Sequence, residues 1–210
     1  IPALRFNWLT AAYDPLIRLT MRELMFKKLL IQQAGISNGH RVLDLGCGTA
    51  TLTIMIKKTY PQAQVVGLDA DPVILSIAKA KAKKESLDIT FENAMAYRLP
   101  FPDESFDRVV SSLMIHHLTT DNKTLAFKEV YRVLRNGGEF HLADFGAPTT
   151  FMMKLVSLIV RHLEETSDNI RGHIPEMLRE AGFVNLKESM NLSTMFGTMT
   201  LSKTKKEILR

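Results

Sequence analysis

Cysteine is nearly absent from this chain of 210 residues. Cys47 is the single one, which excludes an intramolecular disulfide and any metal site built from several cysteines, and it fits a reducing compartment. Long apolar runs are missing too: the longest, residues 151–160, contains Lys154 and is much shorter than the roughly 20 residues of a membrane span. The chain begins with Ile1, so we expect it to have been trimmed, and no signal peptide is recognisable at its start. We therefore expect a cytoplasmic protein.

Linkers, internal repeats and low-complexity segments are also missing, so we expect a single domain over residues 1–210. The net charge is +5, from 27 basic and 22 acidic residues. Aromatic residues do not interleave with the basic ones, and the lysines of residues 79–84 predict one solvated helix face, so no nucleic-acid partner is expected. The basic balance is compatible with transient contact with a membrane surface, and the oligomeric state is left open.

Short β-branched runs alternate with segments of helical periodicity, a pattern typical of a parallel sheet covered by helices on both faces. Five runs predict strands, at residues 41–45, 64–69, 88–92, 106–111 and 139–145. The other segments predict helices, at residues 49–58, from Asp71-Pro72 onward, from Asp121 to a stop at Asn136-Gly137-Gly138, at 151–163 and at 172–181.

The last two predicted strands, residues 183–189 and 194–202, follow each other with only a turn around Asn191 between them. Adjacent strands without a crossover helix pair antiparallel or lie apart. The sequence therefore predicts an α/β fold, a single-domain, Rossmann-like, doubly wound sheet of seven strands that is mostly parallel and closes with a C-terminal antiparallel hairpin. A dinucleotide-binding sheet would instead continue with β-α-β units.

Gly46 and Gly48 stand at a strand–loop–helix junction, where glycine lets the backbone turn sharply and approach a ligand closely. Thr51 occupies the position of the third glycine of the dinucleotide fingerprint. Asp44 beside the loop would repel a pyrophosphate and attract a cationic ligand, or it caps the loop. Asp69 ends the second strand and can accept both hydroxyls of a ribose. Together these residues describe an adenosine without phosphates that carries a positive charge, and S-adenosylmethionine (SAM) matches that description.

Four blocks of the sequence resemble the class I SAM-dependent methyltransferases of the type 11 family. Residues 42–50 resemble their motif I, 65–71 their motif II, 99–107 with 111–118 their fourth-strand block, and 129–138 the helix and turn before their fifth strand. The resemblance covers residues 40–145 strongly and continues more loosely beyond them. Within the family, the ubiquinone/menaquinone-biosynthesis C-methyltransferases are the most similar, and their amino-terminal Tyr-Asp has a counterpart in Tyr13-Asp14.

The resemblance implies a helical lid or cap over residues 1–38, a cofactor-binding core over 39–145, and substrate-side helices with the hairpin over 146–210. It implies these cofactor-binding residues: Asp44, Gly46, Cys47, Gly48, Asp69, Ala70, Asn93, Ala94, Met95, Ser111 and Leu113. One family feature is missing, because the acidic residue four positions before Leu99, which contacts the adenine amine, is Met95 here. Asn93 through its amide, or the backbone of Ala94 and Met95, is left for that contact.

Three side chains are candidates for catalysis: His116, His117 and Tyr13. The histidines follow the fourth strand at the carboxyl edge of the sheet, where either could act as a general base or simply make a backbone hydrogen bond. Adjacent residues point apart, so we expect at most one to face the pocket. Tyr13 belongs to a segment that forms either a lid or a helix packed on the sheet edge. No metal is expected, because the other histidines are scattered, and Cys47 is expected to pack as a small side chain.

We therefore expect a SAM-dependent methyltransferase that moves a methyl group by in-line displacement to a small, hydrophobic acceptor, quinone-precursor-like or lipid-like. S-adenosyl-L-homocysteine (SAH) would be the product. Two alternatives are a non-catalytic cofactor-binding sensor of the same fold and an NAD-dependent reductase. Asp44, Thr51 and the terminal hairpin disfavour the reductase, and a sensor would bind SAM without transferring its methyl group.

Overall fold

The structure, a computed structural model, describes residues 23–148, 166–194 and 197–207. Its elements in chain order are α1 (Glu23–Ala34), β1 (Arg41–Leu45), α2 (Thr51–Thr59), β2 (Gln64–Asp69), α3 (Pro72–Lys84), β3 (Thr90–Asn93), β4 (Phe106–Ser112), a 3₁₀ turn (Ile115–His117), α4 (Thr120–Val133), β5 (Leu134–Phe145), α5 (Ser167–Arg171), α6 (Ile174–Glu180), β6 (Val184–Thr194) and β7 (Gly197–Lys205). The predicted helix at 151–163, Tyr13 and most of the predicted lid lie outside the described residues.

The seven strands form one sheet in the order β3-β2-β1-β4-β5-β7-β6. The first five are parallel, and β7 lies antiparallel between β5 and β6. This confirms the predicted doubly wound sheet with its C-terminal hairpin. The strand order reverses between β1 and β4, and sheets of this kind open a ligand crevice at the carboxyl ends of the strands at such a point.

Hydrophobic cores lie on both faces of the sheet. Val109 and Val110 are neighbours on β4 and neither is exposed, yet Val109 packs in the core under α4 and α6 and Val110 in the core under α1 and α2. Successive strand residues point to opposite faces, so β4 is buried on both sides as the Val-Val pair predicted. This burial fixes the end of β4, from which the loop with His116 and His117 leaves. No helix within the described ranges is long and apolar enough to cross a membrane.

The start of α3 confirms a local prediction. Oδ1 of Asp71 accepts the N–H groups of Val73 and Ile74, at 2.8 and 3.3 Å, and Pro72 occupies the first turn of the helix. An aspartate cap followed by proline satisfies the exposed N–H groups and sets the backbone angle for the helix. The cap therefore fixes how the chain passes from β2 into α3. Asp69 is the last residue of β2 before this turn.

The predicted end of α4 is wrong. β5 begins at Leu134, directly after the helix, so residues 136–138 lie within a strand and do not stop the helix. Leu134 pairs with Phe106 across an irregularity in β4, and Gly137 donates its N–H to the carbonyl of Lys206 at 3.1 Å. These long-range pairings outweigh the local tendency of Asn and Gly to form a turn.

The predicted hairpin turn is also wrong. β6 continues through Asn191 to Thr194, and β7 begins only at Gly197. The register of β6 shifts between Glu188 and Met190. Such a bulge breaks the two-residue alternation by which a strand is recognised in a sequence. The sequence therefore predicts a shorter strand than the structure has.

Other boundaries shift by one or two residues for local reasons. Ala50 has φ 64°, so α2 begins at Thr51 and not at residue 49. Gly172, with φ 76°, ends α5, so the helix predicted over 172–181 begins at Ile174. Two further starts differ from the prediction: β3 occupies residues 90–93 instead of 88–92, and α4 starts at Thr120 instead of Asp121.

Candidate active site

The loop between β1 and α2 folds back onto the neighbouring strand. The N–H groups of Gly46 and Cys47 both donate to the carbonyl of Leu68 in β2, at 2.8 and 2.9 Å. Gly46 and Gly48 have φ of 75° and 53°, a left-handed conformation that glycine adopts without strain. A Cβ at Gly48 would meet nothing within 4 Å, so the backbone there is open to a ligand.

The end of β4 covers the other side of this loop. A Cβ on Gly46 would stand 2.2 Å from Cγ of Met114, so Met114 packs directly on the glycine. Leu113, beside it, has φ 55°, and its N–H is bonded to β5. Ser111 is fully buried and donates its hydroxyl to the carbonyl of Leu45 at 2.9 Å, so its side chain ties β4 to β1. The positive φ of Leu113 is a strained backbone conformation for a residue other than glycine, and such strain is typical of functional loops.

The carboxyl end of β2 brings several predicted residues together. Oδ2 of Asp69 accepts the N–H of Gly48 at 2.9 Å, and Oδ1 accepts a backbone N–H two residues further on at 3.0 Å. On β3 and just after it, the Asn93 amide and the Ala94 N–H both donate to the Asp69 carbonyl, at 3.0 and 3.2 Å. The same rim carries two exposed predicted residues, Ala70 and Met95. Asp69, Asn93 and Ala94 thus surround the open backbone of the glycine loop.

Asp44 lies near the carboxyl end of β1, with 1% of its surface exposed. Its Oδ2 accepts the hydroxyl of Thr53 on α2 at 2.6 Å. Burial raises the pKa of Asp44 to about 6, and the hydrogen bond from Thr53 only partly opposes that rise. The side chain therefore ties β1 to α2, and its charge changes close to neutral pH.

Cys47 is buried beneath the loop, where its Sγ packs against Gly67. Burial raises the pKa of the Cys47 thiol far above its ordinary range, and the nearby carboxylates of Asp44 and Asp69 raise it further. A thiol that stays protonated is a poor nucleophile. The side chain therefore packs as the sequence led us to expect.

His116 is held by a buried carboxylate. Its Nδ1 lies 2.6 Å from Oδ1 of Asp144, and its backbone N–H lies 3.3 Å from Oδ2. Asp144, in β5, also accepts the N–H of Phe145 at 2.7 Å. Burial alone would raise the pKa of Asp144, but the contacts with His116 and Phe145 hold it below its ordinary range. The carboxylate therefore stays ionised beside the imidazole.

The structure separates the two candidate histidines. The side chain of His117 is exposed, whereas His116 is 4% exposed. Their ring centroids are 4.1 Å apart, and the ring of Phe145 packs edge-on against His116 at 4.8 Å. Only one of the pair is therefore enclosed, and it is His116.

A cavity of about 260 Å³ lies beside the His116–Asp144 pair. It is enclosed by β5, β6 and β7 on one side and by α5 and α6 on the other, and both Asp144 and Phe145 line it. Leu142, Ile174 and Leu178 supply apolar walls. Ligand cavities usually measure roughly 300–1,000 Å³, so this one lies just below that range and would suit only a small compound.

Comparisons with known proteins identify the family of this chain. A family model described as a methyltransferase domain matches residues 42–138. A demethylmenaquinone methyltransferase from Thermus thermophilus is 36% identical over 145 residues, which are 68% of this chain and 65% of that enzyme. An uncharacterised methyltransferase from Synechocystis sp. is 30% identical over 190 residues, which are 89% of this chain and 87% of that protein. The chain belongs to the class I SAM-dependent methyltransferases.

A solved methyltransferase-like structure gives the same fold. The crystal structure of the YcgJ protein from Bacillus subtilis superposes with a TM-score of 0.71 at 20% identity, over 86% of this chain and 97% of that one. A likeness at this identity shows the fold, and one fold hosts many activities. The chain spans just under two thirds of the length of the Thermus enzyme that it matches.

The crevice of this class I methyltransferase fits SAM, the cofactor of its family. The open backbone at Gly48 leaves room for close approach, and Asp69 stands beside it with a partly exposed carboxylate. Asn93 and Met95 are exposed at the rim of this crevice. Asp44 adds a negative charge beneath the loop once it is ionised.

Sequence reasoning missed two residues of this candidate site, Asp144 and Thr53. Asp144 stands near the carboxyl end of an apolar strand just as Asp44 and Asp69 do. An acidic residue at that end of a central strand is the signal that would have found it, since these ends meet at one crevice. Thr53 has no comparable signal, because nothing in the sequence distinguishes it from any other threonine on the buried face of a helix.

Proposed function

We propose that this chain transfers the methyl group of SAM to a small apolar acceptor held beside His116. The observation that supports this most is the meeting of Asp69, Asn93 and the open Gly48 backbone at the carboxyl ends of β1, β2 and β3, next to the point between β1 and β4 where the strand order reverses. SAM, when bound, supplies an electrophilic methyl carbon on a positively charged sulfur. The residues of the chain orient the two reactants and keep water away from them.

In this proposal His116 acts as the general base. Asp144 accepts the Nδ1–H, which places the basic lone pair of the imidazole on Nε2. The ionised Asp144 also stabilises the imidazolium that forms when Nε2 takes a proton. An acceptor hydroxyl that gives its proton to Nε2 becomes an oxyanion, and its oxygen or a conjugated ring carbon is then the nucleophile. The bond between this atom and the methyl group would form as the methyl–sulfur bond breaks, with SAH as the leaving group. A methylated ring carbon would afterwards lose its hydrogen as a proton, which restores the aromatic ring.

A quinone precursor is the acceptor class that we propose first. The Thermus relative is by its name a demethylmenaquinone methyltransferase. The cavity beside Asp144 is mostly apolar and has room for a small compound. A hydroquinone ring carries the hydroxyl from which a general base could remove a proton, which a simple lipid chain lacks.

Calorimetric titration with SAM, SAH and NADH tests cofactor binding. We expect micromolar binding of both sulfur ligands and no response to NADH. Binding of NADH alone would favour the reductase and contradict the proposal. Binding of SAM without methyl transfer to any hydroquinone would favour the sensor.

Substitutions at the histidine–aspartate pair test the mechanism. His116→Gln and Asp144→Asn should each lower kcat by about 10²–10⁴-fold, the usual contribution of a general base, with the Kd for SAM changed less than threefold. Transfer of radiolabelled methyl groups from SAM to 1,4-dihydroxynaphthalene measures kcat. The matched control, His117→Gln, should keep kcat within threefold of the wild-type value. An equal loss in this control would contradict the role of His116.

A further inference from the structure

One buried amide in the wall of the cavity has an unpaired oxygen. Asn169, on α5, is 1% exposed and lines the cavity. Its Nδ2 donates to the carbonyl of Phe145 at 3.2 Å, and because a carbonyl can only accept, this bond fixes which way the amide is turned. The Oδ1 atom of Asn169 then has no hydrogen-bond partner among the residues that the structure describes. A buried acceptor without a donor is costly, which is why such atoms often mark a ligand contact.

The rest of the wall is also rich in acceptors. The carboxylates of Asp144 and Glu188 line the cavity, and none of the described residues that line it is Lys, Arg or His. Asn191 is a second amide in the wall, but its Oδ1 already accepts the Thr200 hydroxyl at 2.7 Å. An anionic ligand would meet only like charge here. A ligand with a hydrogen-bond donor would satisfy the oxygen of Asn169.

We infer that Oδ1 of Asn169 selects the methyl acceptor by accepting a hydrogen bond from it. The acceptor is then an uncharged, ring-sized and mostly apolar compound that carries a hydroxyl or amino group, and not a carboxylated or phosphorylated one. This inference rests on the proposed function, because it takes the cavity to be the acceptor site. Asn169 and Asp144 both line the cavity, and Asp144 is the hydrogen-bond partner of His116, so a compound held by Asn169 shares the cavity with that carboxylate.

A pair of ligands with and without a hydroxyl donor tests this hydrogen bond. 1-Naphthol and 1-methoxynaphthalene share one ring system, and both are titrated into the protein saturated with SAH. We expect the wild-type protein to bind the naphthol at least tenfold more tightly than the ether, since a site built around a donor rejects an analogue that lacks it. In Asn169→Leu the preference should fall to less than twofold, while the Kd of the ether changes less than threefold.

Two further variants separate recognition from folding. Asn169→Asp retains an acceptor oxygen and should keep the preference for naphthol, so the inference can still be tested if Asn169→Leu does not fold. Asn191→Leu removes an amide whose oxygen is already paired and should also keep the preference. Loss of the preference in Asn191→Leu, or its loss in Asn169→Asp, would overturn the inference.

The outcomes distinguish this inference from the proposed function. Normal binding of SAH with the same naphthol preference in the wild-type protein and in Asn169→Leu would overturn the role of Asn169 and leave the methyltransferase proposal standing. Failure of the wild-type protein to bind SAH would overturn both. Binding of 1-naphthoate more tightly than 1-naphthol would overturn the inference about charge.

Discussion

Asp44 and Asp144 are both buried aspartates near the carboxyl ends of strands, yet their different contacts shift their pKa values in opposite directions. Asp44 receives a hydroxyl from Thr53, which does not compensate for lost hydration, so its pKa rises to about 6. Asp144 receives backbone N–H groups and an imidazole, and its pKa falls. One carboxyl of the site is therefore able to change its charge near neutral pH, and the other is held ionised.

The pKa of Asp44 predicts how cofactor binding depends on pH. Below pH 6 the carboxyl takes up a proton and loses the negative charge that attracts the positive groups of SAM. The affinity for SAM should therefore fall as the pH drops, by at most about tenfold per pH unit for one proton. Calorimetry between pH 5 and 7 measures this. In Asp44→Asn the affinity should be weak and independent of pH, and a flat wild-type profile would contradict the assignment.

Gly46 and Gly48 predict unequal costs for the same substitution. Gly46→Ala combines left-handed backbone with a clash against Met114, so we expect the free energy of unfolding to fall by about 2–4 kcal/mol. Gly48→Ala places its methyl group in open space, so only the backbone strain of about 1–2 kcal/mol is expected. Urea unfolding followed by circular dichroism measures both. Adding Met114→Ala to Gly46→Ala should recover part of the loss, and no recovery would contradict the clash.

A buried ion pair joins α4 to α5. Nζ of Lys123, which is fully buried, lies 3.2 Å from Oδ2 of Asp168, and the Thr120 hydroxyl donates to the same oxygen at 2.7 Å. These contacts fix α5, and with it Asn169, against the end of β5. Buried ion pairs add little net stability, but breaking one by removing a single partner is costly.

Asp168→Asn should lower the free energy of unfolding by about 3–5 kcal/mol, because it leaves the Lys123 ammonium buried without its carboxylate. Lys123→Met should cost less, since it removes the charge that needs compensation. The Lys123 and Thr120 contacts hold the pKa of Asp168 below its ordinary range, although burial alone would raise it. The stabilisation is therefore present above the ordinary aspartate pKa and is lost as the pH falls through and below it. Urea titrations from pH 3 to 7 test both statements, and equal losses in the two variants would contradict them.

Elements could be predicted from the sequence where the residues that determine them lie within one short segment. The Asp71-Pro72 cap and the glycine loop each depend on residues a few positions apart, and the alternation of strands and helices indicated the sheet. The His116–Asp144 pair joins residues 28 positions apart, and the Asn169–Phe145 contact joins residues 24 apart. Such contacts depend on how whole elements pack, so local patterns could not identify them.

β5 connects the parallel half of the sheet to its antiparallel hairpin. It pairs parallel with β4 and antiparallel with β7, and its side chains enter both cores. The pair of Asp144 and His116 at its end is therefore supported by strands on both sides. Binding at the crevice should stabilise the sheet as one unit.

SAH at about 100 times its Kd should raise the melting temperature in a single transition. Mass action at that concentration adds about 2.7 kcal/mol, and a chain of this size gains roughly 2–4 °C per kcal/mol, so we expect a rise of about 5–11 °C. Differential scanning calorimetry measures the transition. Asp69→Ala, which removes the predicted ribose contact, should reduce the rise, and two separate transitions would contradict a single cooperative domain.

β7 is the neighbour of β5 in the sheet but follows it, and also β6, along the chain, so β5 leaves the ribosome with one edge unpaired. About 60 residues separate the ends of these strands, which takes roughly 3–12 s at 5–20 residues per second. A two-stranded hairpin closes in roughly 1–10 μs once it is complete, so translation sets the delay. During those seconds the 12-residue β5 is a template for pairing with other nascent chains. The need for chaperones during synthesis is therefore concentrated in the interval between the emergence of β5 and the emergence of β7.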